Sequence, residues 1–562
     1  MKDLEELWEL VCRRWMRGFL AELRPLINGH KRWVFGGWLV LIGVFAGLHA
    51  LNLRADFPNH SPWVFDWAKY TDEGWYGNAA IRAHLFGHWH VAGDLNPAVA
   101  LPVLPFLEWV LFFATGVTPE AARGLAVAFF FASLLLSYLL LRAHGPRWAG
   151  LLAVTLMVTS PFLYCFSRLA ILEPMVTAFA LGAMNLAVRL ARMRRPGMAS
   201  IWIGLLFTLM ALTKTTAVFL LPAVGWALLV ELRHERKLAL RCAVTALGTF
   251  LLGYGAWMAA VARAGMMDDY RYLFAANSFP KPKEIYWPLV SAMWSFHGGL
   301  WADHILIPLA GILVLAAVAM GWRTGGRDLL LDPVFGGSIL AVAGFILFMT
   351  LQNHPQPRYF TVVAFFCFIL LARGAEAMVS LAAAGPFRSL PAAHVAGWAA
   401  IGLAGLGAGF NCVQTAYYAA HPEYTFVNAA DRLARYMDTH PNGKRLLVSG
   451  SGDELSLVNR VPALCDDFVT PTKSIPDLAA KVAAYEPGWY AAWNDLDPGT
   501  LQDLHVRYSL EQVASFRAFD DKERNRLVLF KLHPLPGGKV RDVNADGMQD
   551  ALPDDKFDVP VE

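Results

Sequence analysis

The chain is short of charge. Asp, Glu, Lys and Arg make up 17% of its 562 residues, where a soluble domain averages about a quarter. That excludes an ordinary cytosolic enzyme. An excess of one sign is lacking too. The 48 Lys and Arg nearly balance the 45 Asp and Glu, and the net +3 does not mark a nucleic-acid binder. Cysteine is sparse. Cys12, Cys165, Cys242, Cys367, Cys412 and Cys465 include no two at metal-ligand spacing, which argues against a Cys-built zinc site. Four of them lie in apolar runs, where thiols act as small core side chains, so no disulfide framework is expected. Gly and Pro are unexceptional and aromatics reach 13%, which excludes a disordered or fibrous chain. What is abundant is apolar: 56% hydrophobic residues and a mean hydropathy of +0.40.

That surplus is organised into long runs. Residues 1–32 alternate basic residues with Leu4, Leu7, Trp8, Val11 and Trp15 at helical intervals, which predicts an amphipathic helix at a membrane surface. The segment is too long and too acidic for a signal peptide. Trp33 to Leu51 is long enough to span a bilayer. Basic clusters at Arg142 and Arg147, Arg192 to Arg195, Arg233 to Lys237, Arg323 to Arg327 and Arg373 to Arg388 separate further apolar runs. By the positive-inside rule these clusters and the N-terminus are cytoplasmic. Spans then fall near 33–51, 121–141, 148–166, 170–190, 200–213, 215–231, 239–262, 303–321, 334–351, 359–372 and 395–418. The apolar run 98–117 breaks this alternation. Its Pro97, Pro102 and Pro105 disfavour a straight helix at its start, and it reads as a helix lying in, or re-entering from, the outer interface.

The expected architecture is a polytopic α-helical membrane protein of about eleven transmembrane helices, residues 33–420, carrying a small C-terminal α/β domain outside the membrane. Long outer loops run over about 52–120 and 263–302. From His421 the composition becomes that of a soluble domain, 421–535. Lys444–Ser449, Trp489–Trp493 and Arg526–Leu532 read as strands, and Phe426–Met437 and Ile475–Tyr485 as helices. Trp489, Tyr490 and Trp493 read either as a buried strand or as an aromatic surface for carbohydrate. This division implies that removing 421–562 leaves donor binding intact. Residues 536–562 form an acidic tail in which Asp542, Asn544, Asp546 and Asp550 resemble the start of a structural calcium loop, with Gly547 at the turn. Pro553 stands where that loop needs its last acid, so disorder is the competing reading.

Four clusters carry chemistry, all at outer ends of spans. In Tyr70-Thr71-Asp72-Glu73-Gly74-Trp75-Tyr76, adjacent acids among aromatics can serve as a general base or bind a divalent metal, or simply cap a helix starting near Trp75. Arg168 and Glu173 flank the junction of two spans, either facing a cavity or pairing to close a hairpin. Lys214 interrupts Leu212-Thr213-Lys214-Thr215-Thr216, where it can meet a phosphate or snorkel to the interface. In Pro357-Arg358-Tyr359, Arg358 can hold phosphate bidentately or act as an interfacial anchor. Carboxylates for base or metal work and cations for phosphate, on one side of a membrane, suit transfer from a lipid-phosphate-linked donor.

The order of these elements resembles the GT-C superfamily of membrane glycosyltransferases, in particular its protein mannosyltransferase and aminoarabinose transferase branch. The resemblance covers roughly residues 33–380. It implies a base or metal-associated acid at Asp72, neighbouring acids at Glu73 and Glu173, and donor-phosphate cations at Arg168, Lys214 and Arg358. Glu173 stands where many members have Asp, which leaves a divalent metal at the active site open. Tyr76, Tyr359 and His297 are expected to line the substrate. The implied reaction moves a sugar from a polyprenyl-phosphate donor to a lipid, glycan or protein acceptor on the outer face of a cell inner membrane, without nucleic acid. Two rivals stay in view. A polyprenyl-lipid transporter or flippase would place charges near the midplane within inverted repeats, and neither is seen. An O-antigen ligase-type transferase would use later outer loops, where His297 lies in Trp294-Ser295-Phe296-His297-Gly298-Gly299.

Overall fold

The computed structural model describes residues 31–66, 68, 72–94, 96–276, 299–350, 356–380, 391–465, 478–493, 498–518 and 525–536. The expected surface helix (residues 1–30 of it), His297 and the calcium-like tail lie outside the described residues. Two compact units divide the chain, 1–48 and 49–562. In the first, residues 31–48 form the apolar helix α1 (Lys31–His49), which ends at the first residue of the second unit.

The second unit begins with α2 (Asp72–Leu85) and α3 (Val103–Thr115). Next come α4 (Pro119–His144), α5 (Arg147–Thr159), α6 (Pro161–Phe166), α7 (Glu173–Ala187) and α8 (Pro196–Thr213). They are followed by α9 (Leu221–Glu231), α10 (Arg236–Arg263), α11 (Met267–Ala276), α12 (Leu306–Met320), α13 (Arg327–Leu330), α14 (Pro333–Thr350), α15 (Phe360–Ser380) and α16 (Pro391–Ala420). Each apolar run read as a span contains a helix. Among the described residues six helices are long and apolar enough to cross a membrane: α4, α8, α10, α14, α15 and α16. The chain is a multi-pass integral membrane protein. Prolines open several helices, where the missing N–H costs nothing. The run 148–166 is not one helix. Ser160 breaks it, and its hydroxyl accepts from the Leu163 amide at 3.2 Å to start α6.

The helix α3 has 13 residues, about 20 Å of rise against a hydrocarbon core of about 30 Å. It stops at Gly116, whose φ of +70° favours glycine. Phe106, Val110 and Phe113 make one exposed face, while Leu104, Glu108 and Phe112 are buried on the other.

Beyond α16 the chain forms α17 (Thr425–Thr439), β1 (Lys444–Val448), α18 (Gly452–Asn459), β2 (Ala463–Leu464), α19 (Leu478–Tyr485), β3 (Pro487–Trp493), α20 (Pro498–His505), β4 (Tyr508–Arg517) and β5 (Arg526–Pro534). The five-stranded mixed sheet has order β2-β1-β3-β5-β4, with β1 parallel to both neighbours and β5 antiparallel to its own. Side chains alternate between two cores. Leu447, Trp489, Ala491 and Leu529 meet α17, while Val448, Tyr490, Val528 and Phe530 meet α19 and α20. Trp489 and Tyr490 are therefore buried in a central strand, and the carbohydrate-surface reading of these two residues falls.

The domain is not a detached module. Asp56, just after the first helix, accepts from the Phe426 and Val427 amides at 2.8 and 3.3 Å and caps α17. Arg54 pairs with Asp431 at 2.9 Å, and the buried Asp94 holds Lys481 at 2.7 Å and Arg82 at 2.6 Å. Burial works against ionising Asp94, but the two cations outweigh it and bring its carboxyl below the usual range. These ties to residues 54–94 run against the expectation that 421–562 can be removed with donor binding intact.

Candidate active site

The site grows from the ends of four elements. The helix α2 starts at Asp72, α7 at Glu173, and α15 follows a turn of 3-10 helix at Pro357–Tyr359. Lys214 stands directly after α8, where the helix stops and a 3-10 turn takes over. Residues from distant stretches of chain thus meet at one set of helix ends.

Arg358 is the centre. Its backbone N–H donates to Asp66 at 2.8 Å, and its guanidinium donates to Asp66 at 2.6 Å and also to Asp72. Its guanidinium carbon lies 5.1 Å from the Tyr359 ring centre. The other face of the neighbourhood belongs to Lys214. Its ammonium sits 3.9 Å from the Tyr359 centroid and donates to Glu173 at 2.5 Å. Glu173 is fully buried and Lys214 nearly so, and such a pair holds only with close geometry. Tyr76, one turn along α2 from Asp72, is buried and lies in the combined field of Arg358, Asp72, Tyr359 and Glu173. Burial pushes its phenol well above the usual tyrosine range, Arg358 opposing, so it remains a hydrogen-bond donor. Asp72, Glu173, Lys214, Arg358, Tyr76 and Tyr359, singled out separately in the sequence, form one cluster.

Two other expected residues are placed differently. Glu73 is fully buried and takes the Arg123 guanidinium at 2.7 and 2.6 Å and the Ala170 amide at 2.8 Å. It anchors α2 to α4 and to the chain before α7. Arg168 donates to the Leu51 and Asn52 carbonyls at 2.5 and 2.8 Å and to the Tyr164 hydroxyl, clamping the chain after the first helix. Those bonds tie its guanidinium to the backbone just after the first helix. Asp66 and Arg123 were missed. An acid six residues before the Asp72–Glu73 pair and an Arg in the first turn of an apolar helix were the available signals.

A divalent metal fits this donor set poorly. Asp66 and Asp72 face Arg358, Glu173 faces Lys214, and each carboxylate already meets a cation. Among the described residues no group of three or more His, Cys, Asp or Glu side chains converges.

One stretch of the chain matches a family of known proteins, and the fold as a whole is similar to solved structures. Residues 110–264 match the family described as dolichyl-phosphate-mannose-protein mannosyltransferase. ArnT from Cupriavidus metallidurans, bound to undecaprenyl phosphate, aligns with TM-score 0.56 and 13% identity over 91% of this chain and 100% of its own. The apo form of that protein gives 0.54 and 14% over 89% and 98%. The archaeal oligosaccharyltransferase AglB from Archaeoglobus fulgidus, in complex with an inhibitory peptide and a dolichol-phosphate, gives 0.48 and 12% over 86% and 74%. No curated protein matches the chain. At these identities the structural likeness establishes the fold.

Proposed function

We propose that this protein transfers a sugar from a polyprenyl-phosphate donor to a lipid, glycan or protein acceptor on the outer face of a cell inner membrane, with the N-terminus cytoplasmic and the C-terminal domain outside. The observation that carries the reading is the convergence of Asp72, Arg358, Tyr359, Lys214 and Glu173. The acceptor nucleophile attacks the anomeric carbon with inversion. The bond from that carbon to the phosphate oxygen breaks, and polyprenyl phosphate leaves with the electron pair. Asp72 takes the acceptor proton. Lys214 and Arg358 balance the charge that grows on the leaving phosphate. No step passes through a divalent metal.

The resting ion pairs supply an order of events. Arg358 holds Asp72, and Lys214 is held by Glu173. A donor phosphate that recruits both cations draws Arg358 off Asp72 and opens that carboxylate to the acceptor. Donor therefore binds before the acceptor is deprotonated. Purified full-length protein assayed with radiolabelled polyprenyl-phosphate sugars tests the function. Asp72→Asn is expected to lower turnover by about two orders of magnitude or more. Equal activity in variant and wild type sinks the assignment of the base. Movement of labelled lipid across a bilayer without bond cleavage would favour a flippase instead.

A further inference from the structure

The helix α2 presents each of its faces to a different partner. Asp72 and Tyr76 face the cation cluster, and Glu73 faces Arg123. Gly74, Asn78 and Arg82, spaced at i, i+4 and i+8, form a third stripe, and all three meet α18 of the C-terminal domain. The Gly74 N–H donates to Glu454 Oε2 at 2.8 Å, and Asn78 donates to Asp453 Oδ2 at 3.2 Å. Arg82 reaches Asp453 at 3.5 Å while bonded to Asp94 at 2.6 Å. The approach at Gly74 is backbone to backbone. A Cβ there would lie 2.2 Å from the Asp453 carbonyl carbon and oxygen and 2.3 Å from the Glu454 nitrogen.

The first-turn amides of a helix have no partner within it and need an acceptor from elsewhere. In α2 that acceptor for Gly74 comes from a residue 380 positions later in the chain. A carboxyl at this end also complements the positive end of the helix dipole. Glu454 is fully buried, which raises its pKa well above the usual range, as does the neighbouring Glu73. Either protonation state leaves an oxygen able to accept from Gly74. The turn that Glu454 holds is the turn that carries Asp72.

We propose that Glu454 is a positioning residue: it fixes the first turn of α2 through the Gly74 amide, so that the C-terminal domain sets Asp72 against Arg358. The proposal rests on the reading of Asp72 as the acceptor base, and its test separates the two. Full-length wild type, Glu454→Gln and Glu454→Ala are compared in detergent by hydrogen exchange over residues 72–80, by thermal midpoint, by undecaprenyl phosphate binding and by turnover of undecaprenyl-phosphate sugars. Gln keeps an acceptor oxygen and Ala does not. Glu454→Ala is expected to speed exchange in the first turn of α2 about tenfold, the equivalent of one lost hydrogen bond. Carrier affinity is kept or tightened, since Arg358 is less held by Asp72, while kcat falls about ten- to a hundredfold, the signature of a displaced catalytic group. Glu454→Gln behaves as wild type in all four. Unchanged exchange in the Ala variant overturns the proposal, as does a Gln variant as impaired as Ala. Carrier affinity lost in parallel with kcat also overturns it, because the role is then general scaffolding. If wild type turns over no undecaprenyl-phosphate sugar, the proposed function fails, and the exchange comparison still decides whether Glu454 holds the turn.

Discussion

Replacing Gly74 by Ala sets helix propensity against packing at one atom. Within a helix, Ala is favoured over Gly by about 1 kcal/mol. On propensity alone the variant is more stable. The structure puts the new Cβ 2.2 Å from the Asp453 carbonyl group. Ordinary carbon contacts begin near 3.4 Å, so α2 and α18 must separate by roughly 1 Å. Overpacking of this sort costs about 1–3 kcal/mol. Separation also stretches the 2.8 Å bond from Gly74 to Glu454, and leaving that buried pair unmade costs about 1–3 kcal/mol more. The loss exceeds the propensity gain by about 1–5 kcal/mol. A multi-helix membrane protein is not two-state, so the direction of the thermal midpoint is the quantity to read. Scanning fluorimetry of the purified full-length protein should show a lower midpoint for Gly74→Ala, with turnover falling as for Glu454→Ala. Gly255→Ala in α10, where nothing lies within 4 Å of the new Cβ, is the control and does not lower the midpoint. A midpoint raised by Gly74→Ala refutes the close approach and the account of α2 built on it.

Three further outcomes are expected. Glu173 lies 2.5 Å from Lys214, so a phosphate bound to Lys214 sits within about 6 Å of that carboxylate, a repulsion of about 3 kcal/mol at an effective dielectric near 20. Glu173→Gln should tighten undecaprenyl phosphate binding by up to about a hundredfold and Lys214→Met should weaken it, and weaker binding by Glu173→Gln contradicts the phosphate role of Lys214. Burial raises Asp56 to about 7, against the amides it caps, so the folded state holds its proton more tightly than the unfolded chain, where the value is near 4. Its stability contribution is then lost as pH rises from about 4 to about 7 and is flat above. Asp56→Asn should flatten that slope while keeping the cap, and Asp56→Ala should flatten it too while lying about 1 kcal/mol below the Asn variant at any pH; an unchanged slope in the Asn variant, read by thermal midpoint, rules this out. Both carboxyl oxygens of buried Glu108 have no hydrogen-bond partner among the described residues, so Glu108→Met should raise the thermal midpoint; a fall means the carboxyl has a partner after all.

The sequence by itself located most of the helices and the residues that meet at their ends. Apolar runs separated by basic clusters located the helices, because a chain crossing hydrocarbon must hide its backbone in helices about as long as the bilayer is thick. Three runs between His421 and Leu535 read as strands of a small α/β domain, but β4, α20, the two-residue β2 and α18 went unread. Charges stranded at span ends picked out Asp72, Glu173, Lys214 and Arg358, since ionisable groups there are costly without a task. Pairing was left to the tertiary structure. That Arg358 is shared by Asp66 and Asp72, and that Glu73 belongs to Arg123, depends on contacts hundreds or tens of residues apart, which no local spacing encodes. The Gly74–Glu454 contact is the extreme case. Glycine in a helix reads locally as a weakness, and only the close approach of α18 makes it a requirement.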